Sequence, residues 1–276
     1  MHLRSFATTQ LLGQESIELR APHDQRQVIA MMPVCSKDVL AEVVEQAKII
    51  QKEWAQQSIE ERALCIASFI PLIEAHLDEI IEALRTEQGM LDSVVRREVQ
   101  ESISQINHTL QVAPAELASI HLADESYTAE IRKVPFGITA AIVPWNAPIS
   151  LATAKVIPAL LSGNAIIVKP SPRAPIGVTL FLDLLRSCLP PGLISVLHGL
   201  DELGEAMIQH PDIRKISFTG STAVGKRVAA SAASELKSVQ LELGGNDAAV
   251  VLSDANIKTT ATQLIDSAFR RSGQFC

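Results

Sequence analysis

Glu242, Cys276 and Asn146 are the residues whose type and setting could do covalent chemistry. Glu242 sits in Leu241-Glu242-Leu243-Gly244-Gly245, a carboxylate in the end of an apolar strand. A carboxylate buried there without a partner would suit a general base near neutral pH, whereas one paired with a cation or facing water would be ordinary. Cys276 ends the run Ser272-Gly273-Gln274-Phe275-Cys276. A thiolate is accessible near neutral pH and is a strong nucleophile, but a lone cysteine is more often an inert, buried small hydrophobe. Asn146 lies in Pro144-Trp145-Asn146-Ala147-Pro148, which reads either as a rigid turn or as a turn presenting a carboxamide and an indole to a ligand. A fourth stretch, Ile216 to Gly225, is a strand, a small-residue turn and a helix start. Gly220, Ser221 and Gly225 could bring backbone N–H groups against a phosphate, or could form a tight turn with Ser221 as the N-cap. The spacing matches neither GxGxxG nor a P-loop.

The elements that must position these groups are legible as apolar runs. Ile138 to Val143 and Ala165 to Val168 flank a small-residue helix that stops at Gly163 and Asn164. A strand–helix–strand crossover of this kind makes the two strands parallel, and continuous apolar runs are what buried parallel strands look like. Further strands are predicted at Ile194 to Leu197, Lys215 to Phe218 and Val239 to Leu241. Helices are predicted at Pro175 to Cys188, Asp201 to Gln209 and Thr222 to Ala233. The fold class is therefore α/β, a doubly wound parallel sheet of about five strands flanked by helices. In such sheets ligands bind beyond the carboxyl ends of the strands, where Trp145, Asn146 and Lys169 stand.

The first half reads as mostly helical support. A short hairpin is predicted around Ile17 to Ile29, then a helix capped by Ser36 whose apolar face is Leu40, Val43, Val44, Ala47, Ile50 and Trp54. Ser58 to Glu61 is a capping box opening a helix that runs to Gly89 with a kink at Pro71. A third helix covers Asp92 to Val112, and Leu117 to Val134 is an exposed, protruding β element. Asp247 to Leu252 and Ile257 to Ser272 add one more strand and helix. The division expected is a dinucleotide-binding domain over 1–245 and the start of a second, catalytic domain over 246–276.

Composition narrows the function classes. The 276 residues are 47% hydrophobic but only 4% aromatic, which suits an aliphatic α/β core and argues against disorder. The net charge of −7, with no Lys/Arg block, argues against nucleic-acid or anionic-membrane partners. The four cysteines are scattered, as in a reduced, cytoplasmic protein, and the seven histidines form no ligand cluster, so no metal is expected. No segment reads as a membrane span or a secretory leader.

Five stretches together resemble the NAD(P)-dependent aldehyde dehydrogenase superfamily, in the family's order and at similar spacing. They are Pro144 to Pro148, Val168-Lys169-Pro170-Ser171, Phe218 to Ser221 with Gly225, Leu241 to Gly245, and Gly273 to Cys276. The resemblance covers this chain and about the first half of a typical member. It implies that Cys276 is the nucleophile, attacking an aldehyde to give a thiohemiacetal and then a thioester. Asn146 is implied as the oxyanion donor and Glu242 as the base that activates the hydrolytic water. For NAD or NADP it implies Lys169 and Ser171 near the adenosine ribose, and Gly220, Ser221 and Gly225 at the pyrophosphate. Ile142, Pro144 and Trp145 are implied as a wall beside the cofactor, with Leu243 and Gly244 next to the base.

This sequence also departs from the family pattern. Pro172, followed by Arg173, replaces a glutamate common in NAD-preferring members, which leaves NADP use open. Arg271 replaces a frequent asparagine, a change expected to bear on substrate access. With Cys276 at the chain end, the isolated polypeptide is expected to be inactive and aggregation-prone, and the complete enzyme to be a homo-oligomer. The alternatives are a non-catalytic dinucleotide-binding or partner-binding fragment, and a relative that passes the acyl group to coenzyme A.

Overall fold

The computed structural model describes residues 15–276. The expectation about a leader falls mostly on residues outside that range. An antiparallel hairpin comes first, β1 (Ser16–Ala21) and β2 (Asp24–Pro33), the predicted hairpin extended to Pro33. Helix α1 (Lys37–Gln56) is capped as predicted, the Ser36 hydroxyl accepting from the Val39 N–H, and it buries Leu40, Val43, Val44, Ala47 and Trp54. The Trp54 indole N–H donates to the Leu160 carbonyl at 2.8 Å, which satisfies its one polar atom inside the core.

Three helices replace the single kinked one expected up to Gly89: α2 (Ile59–Ala67), α3 (Phe69–Ala75) and α4 (Leu77–Gln88). The Ser58/Glu61 capping box forms in full at the start of α2. Pro71 does not mark the break. It lies in the first turn of α3, where the missing N–H has no intrahelical partner to lose, so the chain breaks at Ser68 and His76 instead. Helix α5 (Asp92–Leu117) outruns its predicted end at Val112 and passes through Pro114. Leu110, Ala113 and Leu117 pack on the core and hold that last turn. The exposed β element is a small hairpin, β3 (Ile120–Ala123) with β4 (Thr128–Ile131).

The five predicted strands all form. In chain order the elements are β5 (Ile138–Ile142), α6 (Pro148–Leu161), β6 (Ala165–Lys169), α7 (Ile176–Ser187), β7 (Ile194–Val196), α8 (Asp201–Gln209), β8 (Ile213–Gly220), α9 (Thr222–Ser234) and β9 (Ser238–Leu243). They make one parallel sheet in the order β7-β6-β5-β8-β9. The chain builds outward from β5, then returns to lay β8 on the other side of it, so the direction reverses between β5 and β8. Helices α6 and α7 pack with α4 and α5, and α8 packs with α9 and α1, consistent with right-handed crossovers covering both faces. Every residue of β6 is buried, which explains its unbroken apolar run and the burial of Lys169 at its end.

Beyond β9 the strand expected at Asp247 to Leu252 is absent. The segment is irregular and exposed, and among the described residues it has no neighbouring strand to complete its hydrogen bonds. The helix expected to Ser272 is α10 (Ile257–Ala268), followed by a 3₁₀ turn at Arg270–Gly273. Among the described residues no helix is long and apolar enough to cross a membrane.

Candidate active site

Register across the sheet sorts the candidate residues onto two faces. Ile142 pairs with Lys169 and with Phe218, and Gly220 pairs with Leu243, so these side chains share one face. That face meets α8. A Cβ on Gly204 would lie 3.9 Å from the Ile142 Cδ1 and from the Lys169 methylenes. Burial lowers the Lys169 ammonium from its usual range, opposed by the charges of Asp201 and Glu202 at the start of α8. Gly225 packs on the same face so closely that an added Cβ would sit 2.4 Å from Leu243 Cδ2, which explains the glycine in α9. Ser221 is the N-cap of that helix, its hydroxyl accepting from the Val224 N–H, as the simpler reading of the turn has it.

The opposite face carries Ser217, Thr219, Gln240 and Glu242. Glu242 is exposed, the ordinary alternative its sequence left open, because β9 is an edge strand with two of its six residues exposed and none buried. Buried Lys155, from α6, lies within electrostatic reach of it. Burial lowers the Lys155 ammonium, and the Glu242 charge acts the other way. Sequence reading missed Lys155, which looked like one polar residue in a small-residue helix. Its spacing of nine from Asn146 puts it two and a half turns down α6 from the turn, and that was the available signal.

The carboxamide and the thiol come together. Asn146 Nδ2 donates to the Gln274 carbonyl at 2.9 Å, and Asn146, Ala147, Phe275 and Cys276 border one cavity of about 580 Å³. Cys276 is exposed, which removes the reading of it as a buried hydrophobe. The Gly245 N–H donates to the Cys276 carbonyl at 2.5 Å, tying the end of β9, and so Glu242, to the same segment. Trp145 instead borders a second cavity of about 480 Å³ with Pro172, Arg173 and Gln274, and its carbonyl accepts from Gln88 Nε2 at 2.6 Å. Ser171 turns its hydroxyl back to accept from the Arg173 N–H.

Two further residues hold the turn, Arg271 and Glu98, and Glu98 drew no attention in the sequence. Glu98 of α5 is buried. One of its oxygens accepts from the N–H groups of Ile149 and Ser150, capping α6, and the other accepts from Arg271 Nη2 at 2.6 Å. Arg271 also donates to the Asn146 carbonyl, from Nε at 2.9 Å and Nη2 at 2.5 Å. Burial pushes the Glu98 carboxyl up, and the Arg271 charge pulls it down. Arg271 and Ser272 both adopt left-handed backbone, φ 51° and 58°, a conformation that disfavours non-glycine residues by about 1 kcal/mol each. Arg271 is buried against Glu98 and also borders the cavity that Asn146 and Cys276 share.

A doubly wound parallel sheet with its polar residues gathered at the strand ends around the reversal defines an α/β protein of the Rossmann-like class. The chain belongs to the aldehyde dehydrogenase family, whose profile matches residues 10–276. It is 36% identical over 228 residues to the mitochondrial succinate-semialdehyde dehydrogenase of Arabidopsis thaliana, covering 81% of this chain and 43% of that one. Among solved structures it resembles an NADP-dependent glyceraldehyde-3-phosphate dehydrogenase from Bacillus halodurans complexed with NADP, with a TM-score of 0.89 and 32% identity over 95% of this chain and 56% of that one. It also resembles PnpE in complex with nicotinamide adenine dinucleotide, with a TM-score of 0.89 and 29% identity over 95% of this chain and 54% of that one. The chain spans about half the length of the relatives it matches.

Proposed function

We propose that this chain carries the dinucleotide site and the reacting thiol of an enzyme that oxidises an aldehyde to a carboxylate with NAD or NADP. The observation that carries the reading is the meeting of Asn146 and Cys276 at one cavity, with the end of β9 bonded to the Cys276 carbonyl. In this reading the Cys276 thiolate attacks the carbonyl carbon, and the Asn146 carboxamide, released from Gln274, donates to the oxygen as it becomes negative. A bound nicotinamide would accept the hydride that leaves the resulting thiohemiacetal. Glu242 then takes a proton from the water that attacks the thioester, with the buried Lys155 ammonium balancing its charge.

The residues available fit a dinucleotide. Gly204 leaves room beside Lys169, whose buried ammonium suits ribose hydroxyls, and half-buried Gly220 and exposed Ser221 lead into the start of α9. Ile142 and Leu243 share that face, while cofactor roles for Pro144, Trp145, Ser171 and Gly244 rest on the family resemblance. With Pro172 and Arg173 after the Lys-Pro-Ser run, no carboxylate stands there to repel a 2′-phosphate, so both cofactors are proposed. Glu242 within electrostatic reach of Lys155 favours hydrolysis over passage of the acyl group to coenzyme A.

Titration of the chain with NAD and with NADP, followed by tryptophan fluorescence, tests the cofactor half of the reading. Saturable binding weakened by Lys169→Ala is expected. No saturation with either would refute it. Aldehyde-dependent reduction of the cofactor, lost in Cys276→Ser, tests the chemical half in the protein that contains this chain.

A further inference from the structure

The Asn146 turn and the Cys276 segment are separated by more than a hundred residues, and nothing in the parallel sheet itself fixes one against the other. Direct bonds from Asn146 to the Gln274 carbonyl and from Gly245 to the Cys276 carbonyl join them, and a buried ion pair braces both sides. Glu98 reaches the N-terminus of α6 with one oxygen and Arg271 with the other, and the Arg271 guanidinium closes on the Asn146 carbonyl with two bonds. Both side chains are nearly inaccessible, Glu98 at 1% and Arg271 at 8%. The pair therefore holds three things at once: the start of α6, the peptide after the carboxamide-bearing residue, and the left-handed Arg271-Ser272 backbone that turns the chain toward Cys276.

We propose that Arg271, braced by Glu98, is a positioning residue that sets the distance between the Asn146 carboxamide and the Cys276 segment. This rests on the proposed roles of Asn146 and Cys276, but the clamp itself can be tested without them. A buried charge-assisted bond, once removed, releases what it held, whereas a lysine can still reach one of the two acceptors.

Hydrogen exchange followed by mass spectrometry on the full chain reads this directly. The informative amides are Ser272, Gln274 and Gly245, each bonded within or onto the segment. In Arg271→Met these are expected to exchange roughly tenfold faster or more, while the sheet amides of β5 and β6 stay protected. Arg271→Lys should recover part of the protection. Arg96→Ala, which removes an exposed pair on the same helix as Glu98, should change nothing there. Should Arg271→Met not fold, Glu98→Gln retains the side-chain volume and one oxygen for α6, and should give the same local loss. Exchange at Gln274 and Gly245 within about twofold of wild type in a folded Met or Gln variant would overturn the proposal, as would a Lys variant no better than Met. Because neither cofactor nor turnover enters the measurement, a chain that binds no dinucleotide would refute the proposed function and leave this result standing.

Discussion

His198, two residues beyond β7, makes the stability of this fold depend on acid. It is completely buried, and its Nε2 lies 3.4 Å from the Thr179 hydroxyl, whose own proton goes to the Pro175 carbonyl. The imidazole must therefore donate from Nε2, which leaves Nδ1 as a lone pair without a partner. A second proton would have to sit on that atom, in the core and close to the Lys169 ammonium. Burial, reinforced by Lys169, pushes the imidazole down to about 4 from an ordinary 6.5. A depressed histidine contributes stability that is fully present above its unfolded pKa and is lost as the pH falls toward the folded one. Two and a half units correspond to roughly 3 kcal/mol near pH 4, of which about 2 kcal/mol is already lost at pH 5. Urea unfolding of wild type and His198→Gln at pH 7 and pH 5 isolates this contribution, since other acid-titrating groups are common to both. The wild type should lose about 2 kcal/mol more than the variant on acidification. Equal losses in the two proteins would refute the assignment of a neutral, unpartnered imidazole.

Glu87 works in the opposite direction. It is buried with its oxygens on the Ile176 and Gly177 N–H groups, and burial raises its carboxyl to about 8. Its contribution to stability is present below the unfolded value and is lost as the pH rises through about 8, so chemical denaturation should show a decline from pH 6 to 9 that Glu87→Gln removes. Gly177→Ala would put a Cβ 2.8 Å from Leu84 Cγ and 3.1 Å from Glu87 Oε1, and should lower stability by about 1–3 kcal/mol in a urea melt. Trp54→Phe removes the indole donor to the Leu160 carbonyl, which keeps the Gly163 N–H, with an expected loss of about 0.5–1.5 kcal/mol by the same assay. That variant also leaves Trp145 as the sole indole for the cofactor titration.

The inner strands β5 and β6 were legible because each is covered on both sides, and burial on both sides writes itself as an unbroken apolar run. The capping serines at 36 and 58 were legible for a similar reason, since an N-cap is satisfied within four residues of sequence. Segments whose structure depends on distant partners were not. Asp247 to Leu252 has strand-like composition but no strand beside it, and Glu242 has apolar neighbours but lies on an edge strand. Pro71 looked like a helix breaker until its place in a first turn was known. Glu98 is the plainest case. On its helix it resembles any other charge, and only folding brings it to an arginine 173 residues away.

The pairing of Gly220 with Leu243 and of Thr219 with Glu242 makes the last strand a partition one peptide thick. The carboxylate belongs to one compartment and its immediate neighbour, the leucine under α9, to the other. Sliding that strand by a single position would exchange them, driving a charge against Gly225 and a methyl group toward Lys155. Insertions or deletions between α9 and Gly244 should therefore be far more damaging than substitutions there, because they scramble which side of the wall each group serves.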